Sequence, residues 1–193
     1  MRVIGGKWRG RRLLAPTGRG VRPTGDRVRE ALFNILEHGR HTSGEGSPLP
    51  DAAVLDAFAG TGALGIEALS RGAASATFLE KERASIRIVE RNIAACGATA
   101  EATVRQGDAL MPPPAPHPCD IVFLDPPYGE DLAEPALTAL SAAGWIADGA
   151  LCVVELRKKD AFTAPEGFVV LDDRHYGATR VILLRREGRN EPQ

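Results

Sequence analysis

The 193-residue chain is poor in residues that cross-link or bind metals. Its three cysteines, Cys96, Cys119 and Cys152, are odd in number, widely spaced and without a C-x-x-C pair. That pattern argues against a disulfide framework and fits reduced structural thiols in a cytoplasmic protein. The four histidines, His38, His41, His117 and His175, have no ligand spacing, so no metal is expected. No apolar run approaches the roughly 20 residues of a membrane span, and the basic N-terminus lacks the apolar segment of a secretory signal. No membrane association is therefore expected. What remains is ordinary for a soluble globular chain: 44% hydrophobic and 25% charged residues, enough for one domain with a small extension.

The formal net charge of −1 conceals an asymmetry. Residues 1–30 hold nine Arg or Lys against Asp26 and Glu30, a net of +7; the other 15 basic and 23 acidic residues leave −8. A cationic arm on an anionic body points to a polyphosphate partner, nucleic acid above all. Val3, Ile4, Trp8, Leu13 and Leu14 interleave with the charges, which a merely solubilising tail would not need. The arm reads as a short hairpin or β-hook over residues 1–22, followed by a main domain over 23–187 and a frayed tail at 188–193. Phosphate contacts are expected from Arg2, Lys7, Arg9, Arg11, Arg12, Arg22 and Arg27. Arg157 and Lys158, past a later strand end, are expected to add a second contact. Deleting residues 2–20 is expected to weaken nucleic-acid binding while largely sparing whatever small ligand the main domain binds.

Beyond the arm, Thr24 is placed to cap a helix from about residue 25 to 38, and 40–51 is a polar loop. Strands over 53–57, 75–80, 101–106, 119–124 and 149–156 alternate with helices over 63–71, 82–96 and 131–143. Such alternation predicts a parallel sheet covered by helices. Two β-prone runs, 168–172 and 180–184, joined through 174–178, predict an antiparallel pair at the end. The proline-dense segment 110–118 cannot be helical.

Two motifs sit at strand ends. The apolar run Ile121–Leu124 is followed by Asp125-Pro126-Pro127-Tyr128. Two prolines stop the strand stiffly and leave a carboxylate, a free carbonyl and an aromatic ring at one place. Two acceptors and a stacking surface suit a flat base bearing an NH2 group. Upstream, Gly60, Gly62 and Gly65 follow a strand and open a helix as G-x-G-x-x-G. Asp56, four residues before Gly60, is badly placed for a pyrophosphate but suits an ammonium. Glu80, twenty residues past the loop, falls where an acid takes ribose hydroxyls. An amino-acid end and a ribose together describe S-adenosylmethionine.

These features resemble the Rossmann-like, class I S-adenosylmethionine-dependent methyltransferases that modify exocyclic amines. The opening segment, Arg2 to Leu13 and Arg22 to Leu36, with Leu69 to Ala73 and Tyr176 to Thr179, resembles the bacterial 16S ribosomal RNA guanine-N2 methyltransferases called RsmD. The resemblance covers nearly the whole chain. It implies an α/β fold with a mostly parallel seven-stranded sheet and a C-terminal antiparallel pair. It implies catalysis at Asp125, Pro126, Pro127 and Tyr128. Cofactor contacts are implied from Asp56, Phe58, Gly60, Thr61, Gly62, Glu80, Lys81, Asp108, Ala109 and Thr24. The implied substrate is 16S rRNA, free or in a 30S subunit, and the protein is expected to be a monomer. A DNA adenine-N6 methyltransferase is the nearest rival, since adenine also presents an NH2. An NAD-dependent oxidoreductase would leave Asp56, the D-P-P-Y motif and the arm unexplained. A non-catalytic RNA-binding module would not need the intact loop and Asp125.

Overall fold

A computed structural model of the chain describes residues 1–15, 25–38 and 46–188. Thr24, Arg22 and most of the polar loop before Asp51 lie outside the described residues, as does nearly all of the expected tail.

Strands at the centre of the sheet bury both faces, as central parallel strands must, and those at its edges do not; the runs that form the strands draw on β-branched and aromatic residues. They are β1 (Ala53–Asp56), β2 (Ser75–Glu80), β3 (Ala102–Gln106), β4 (Cys119–Leu124), β5 (Ile146–Arg157), β6 (Phe168–Tyr176) and β7 (Thr179–Arg186). Their spatial order is β3-β2-β1-β4-β5-β7-β6. The first five strands pair in parallel, and β7 lies antiparallel to both β5 and β6. This is the Rossmann-like architecture expected from the alternation. Strand order reverses between β1 and β4, with β2 on the other side of β1. Ligands of open α/β sheets bind beyond the carboxyl ends of the strands at such a point.

Helices α1 (Asp26–His38), α2 (Ala63–Ser70) and α3 (Arg83–Cys96) cover one face, and α4 (Ala133–Ala142) covers the other. On the first face Phe33 packs against Phe123, ring centroids 5.5 Å apart. On the second, fully buried Trp145 donates its indole N–H to the Pro113 carbonyl at 2.7 Å. That bond ties down the proline-rich segment, which forms no helix.

Two details refine the sequence reading. The stretch 174–178 is not a connecting segment: β6 runs to Tyr176 and β7 begins at Thr179, leaving a two-residue turn at Gly177-Ala178. Gly177 supplies the positive φ of 63° that such a tight hairpin requires. The N-terminal segment forms the expected hook but not the extended strands of a full hairpin. A single antiparallel bridge, Arg2 to Arg12, closes around a 3-10 turn at Gly6–Trp8.

Nor is the hook a loose arm. Val3 and Leu13 are buried in the main core, and every residue of α2 is buried. The link is Glu67 in α2, which is wholly inaccessible. Its carboxylate accepts the backbone N–H groups of Ile4 and Gly5, each at 2.7 Å, and the Nε–H of Arg71 at 2.8 Å. Arg29 of α1, equally buried, brings its Nε to 3.9 Å from Glu67 and donates through Nη2 to the Arg2 carbonyl. Ser70 donates to the Gly5 carbonyl at 2.6 Å and accepts the Trp8 N–H at 3.0 Å. Gly6 (φ 70°) lies so close to the end of α2 that a Cβ there would stand 1.8 Å from the Ser70 carbonyl oxygen. Further along, Asn92 of α3 clamps Leu14, accepting its N–H at 2.7 Å and donating to its carbonyl at 3.0 Å.

Arg29, counted among the nine basic residues of the arm, is therefore a core residue, engaged with Asp26 and Glu67 inside the protein rather than presented at its surface. Removing residues 2–20 would also strip the backbone partners that the hook gives to Glu67, Ser70 and Asn92, so the contacts do not support a deletion that spares the rest of the protein. Breaking a buried ionic network by removing one member costs about 3–5 kcal/mol, because the remaining charges stay buried. Glu67→Ala should lose stability on that scale in urea unfolding. A loss no larger than the ~1 kcal/mol of an exposed ion pair would show that the network does not hold the hook.

Candidate active site

The carboxyl ends of β1, β2 and β4 open into a cleft of about 470 Å³. From β1 come Asp56, Ala57 and Phe58, and from the glycine loop Gly60 and Thr61. From β2 come Glu80 and Lys81, and from the loop after β3 Asp108 and Ala109. Asp125, Pro126, Pro127 and Tyr128 leave β4 on the remaining side. The structure thus brings together nearly every site residue proposed from the main domain. Gly62 does not line the cleft but shapes it. It takes a left-handed conformation, φ 75°, at the start of α2. Gly65 allows close packing: a Cβ there would stand 2.4 Å from the Phe78 ring.

The carboxylates are held from within the loop. Asp56, 1% exposed, accepts the Gly65 N–H at 3.0 Å. Burial pushes its pKa up to about 7; the Gly65 bond opposes this and the nearby Glu80 charge adds to it. Glu80 accepts the N–H groups of Gly60 and Glu82, both at 2.8 Å, one on each oxygen. Each carboxylate oxygen has a second lone pair, so neither acid is saturated. Asp108 accepts the Leu110 N–H at 2.9 Å and so closes its own turn while lining the cleft.

Tyr128, partly exposed, donates its hydroxyl to Glu155 at 2.9 Å. Burial, then the charges of Glu155 and Asp125, push the phenol pKa up, so the group stays protonated. Glu155 is buried near the end of β5 and was missed by the sequence reading. Its only sequence signal is a carboxylate inside an otherwise apolar strand. Arg157, expected to face RNA, is paired with Asp160 at 2.9 Å. Its guanidinium also packs on Gly129, where a Cβ would come within 2.3 Å. These contacts brace the loop after Tyr128. Lys158 is exposed beside it.

The hook borders the same cleft: Met1 lines it, and its sulfur lies 3.4 Å from the Thr61 hydroxyl. Asn92 donates to the Thr61 carbonyl at 2.8 Å as well as to Leu14, joining hook and glycine loop through one side chain. Of the arm's cations, Arg2 meets Asp26 at 3.5 Å and Lys7 meets Glu101 at 3.4 Å. Arg11 donates to the Ala95 carbonyl. Arg9, Arg12 and Arg27 are exposed. Among the described residues, no group of three His, Cys, Asp or Glu is arranged to hold a metal, and no helix is long and apolar enough to cross a membrane.

The model of a family described as "Conserved hypothetical protein 95" matches residues 1–185. The chain belongs to that family, the RsmD family its motifs resemble. Its relatives include proteins named ribosomal RNA small subunit methyltransferase D. The one from Escherichia coli K12 is 39% identical over 192 residues, covering 99% of this chain and 92% of its own. The one from Haemophilus influenzae is 38% identical, covering 96% and 93%. A solved structure of the methyltransferase yhhF from E. coli is 40% identical with a TM-score of 0.81, covering 98% of this chain and 99% of that one. TrmN from Thermus thermophilus, at 19% identity and a TM-score of 0.64, covers 82% of this chain and 48% of its own, and shares the fold.

Asp56 gives this family member a pH-dependent cleft. Its folded pKa is raised from 3.8 to about 7, so its contribution to stability is present below pH 3.8 and is lost as pH rises through 7. A ligand ammonium prefers the ionised form and reverses that sign. Calorimetric affinity for S-adenosylmethionine should therefore rise from about pH 6 to about pH 8 with release of a proton, and Asp56→Asn should flatten this limb. A wild-type affinity that does not change across neutral pH would contradict the assignment.

Proposed function

We propose that this protein transfers a methyl group from S-adenosylmethionine to the exocyclic N2 amine of a guanine in 16S rRNA, within a 30S subunit or an assembly intermediate. The observation that carries the reading is the convergence of Asp56, Glu80 and Asp125 on one cleft, with Tyr128 beside Asp125. The rRNA substrate is supported by the names of the relatives from E. coli and H. influenzae. The form proposed to act is a cytoplasmic monomer.

The donor set fits the cofactor. Asp56, buried and short of a positive partner, takes the ammonium, and Glu80 takes the ribose hydroxyls. Phe58, Lys81, Asp108 and Ala109 enclose the remainder, and Gly60 and Thr61 let it lie against the backbone. Bound there, S-adenosylmethionine supplies an electrophilic methyl group. The target amine is a weak nucleophile because its lone pair is delocalised into the ring. Asp125 and the Pro126 carbonyl accept its two N–H bonds and hold the nitrogen. Pro127 keeps that carbonyl extended. Positive charge develops on nitrogen as its bond to the methyl carbon forms and the carbon–sulfur bond breaks. The Asp125 carboxylate stabilises that charge where it is worth most, and one N–H proton then leaves the nitrogen through that carboxylate to solvent. Tyr128, fixed by Glu155, offers its ring to an unstacked base, a contact worth roughly 1–3 kcal/mol. The base must leave its stack to arrive.

Incubating the protein with labelled S-adenosylmethionine and naked 16S rRNA, 30S particles or duplex DNA tests the reading. Mass spectrometry of the digested products should show N2-methylguanine from 16S rRNA and no methylated base from DNA. N6-methyladenine in DNA, or no methyl transfer to any rRNA form, would overturn it.

A further inference from the structure

Helix α3 carries a feature that the cleft and the hook do not account for. Its buried face is Val89, Asn92, Ile93 and Cys96. Arg83, Arg87 and Arg91, four residues apart, fall on the opposite, exposed face. At 1.5 Å per residue they are spaced about 6 Å apart along the axis. No ion pair engages any of the three among the described residues. The helix holds one acidic residue, Glu90, exposed on the same side and three residues after Arg87.

The position of this stripe is what gives it meaning. At the N-terminal end of α3, Glu82 and Ser85 line the cleft. At its C-terminal end, Arg11 of the hook donates to the Ala95 carbonyl, and Asn92 holds Leu14. The stripe therefore runs from the mouth of the cleft to the exposed Arg11 and Arg12 of the hook. Arg83 also stands in the first turn of α3, directly after the N-cap residue Glu82, where a cation opposes the helix dipole. Three arginines rather than lysines suit planar, two-pronged contact with phosphate. The body beyond residue 30 carries a net −8, so a basic track across it is not a general feature of its surface.

We propose that the outward face of α3, through Arg83, Arg87 and Arg91, binds the substrate RNA by its phosphate backbone and joins the hook's basic surface to the cleft. The inference rests on the rRNA reading above and names the surface on which the substrate lies. Phosphate contacts fix register without reading sequence. The track holds the strand flanking the target so that one base can be turned into the cleft.

The test compares wild type with the variant R83Q/R87Q/R91Q and the single variant R87Q, on naked 16S rRNA over a range of potassium chloride concentrations. The side chains are exposed, so thermal unfolding and calorimetric affinity for S-adenosylmethionine should match wild type. Each phosphate that an arginine neutralises adds about 0.7 to the slope of log affinity against log salt. R87Q should therefore lower the slope by about 0.7 and the triple variant by about 2, with a matching rise in the RNA concentration needed for half-maximal methyl transfer. Unchanged slopes and unchanged transfer in the triple variant, with wild type active, would overturn the track alone. A wild-type protein that methylates no rRNA would instead overturn the function on which the track rests.

Discussion

The structure depends on a carboxylate that never meets water. Glu67 accepts two backbone N–H groups from the hook and one guanidinium N–H from Arg71, with Arg29 of α1 close by. Burying an ion is costly, and only dense pairing of this kind offsets the loss of hydration. The arrangement makes hook, α1 and α2 one unit. Gly5 and Gly6 belong to the same constraint, since the chain passes so close to Arg71 and Ser70 that a side chain on either would collide. α2 begins at the glycine loop and carries Glu67 in its second turn. The hook is thus anchored one short helix from the cofactor loop, and Asn92 ties the two together a second time.

The cleft applies the opposite principle. Asp56, Glu80 and Asp125 leave adjacent strands toward the same space, and like charges in a partly buried site repel. The fold tolerates this because loop N–H groups take Asp56 and Glu80, and because Asp56 rides well above the usual carboxylate range. In the proposed reading, a cationic ligand at one end and an amine that gains positive charge at the other relieve the remaining imbalance. Glu155, behind Tyr128, adds a fourth acid that is answered by the phenol hydroxyl.

What the sequence made legible were features carried by local pattern. Strands and helices are signalled by apolar period and glycine punctuation, and their observed bounds fall within a few residues. Cleft residues were legible because topology places strand ends together, so Asp56, Glu80 and Asp125 could be assigned one site from three separate motifs. Contacts across long separations were not. Glu67 sits 62 residues from Gly5, and nothing local distinguishes it from a solvated helix acid. Arg29 looked like one more cation of a basic arm, because charge arithmetic does not register burial. The arginines of α3 were overlooked for the converse reason: the acidic body hides a basic helix face from any total. Arg157 was assigned to RNA from its position past a strand end, while the structure engages it with Asp160 and Gly129.

The central claim is that one cleft holds two separable functions, cofactor binding at the ends of β1 and β2 and amine activation at the end of β4. It is tested most directly by calorimetry and single-turnover methyl transfer on the same preparation of Asp125→Ala. The account predicts wild-type affinity for S-adenosylmethionine together with a loss of at least about 100-fold in the rate of transfer to 16S rRNA. Wild-type transfer by this variant, or a collapse of cofactor affinity that accounts for the lost rate, would contradict it.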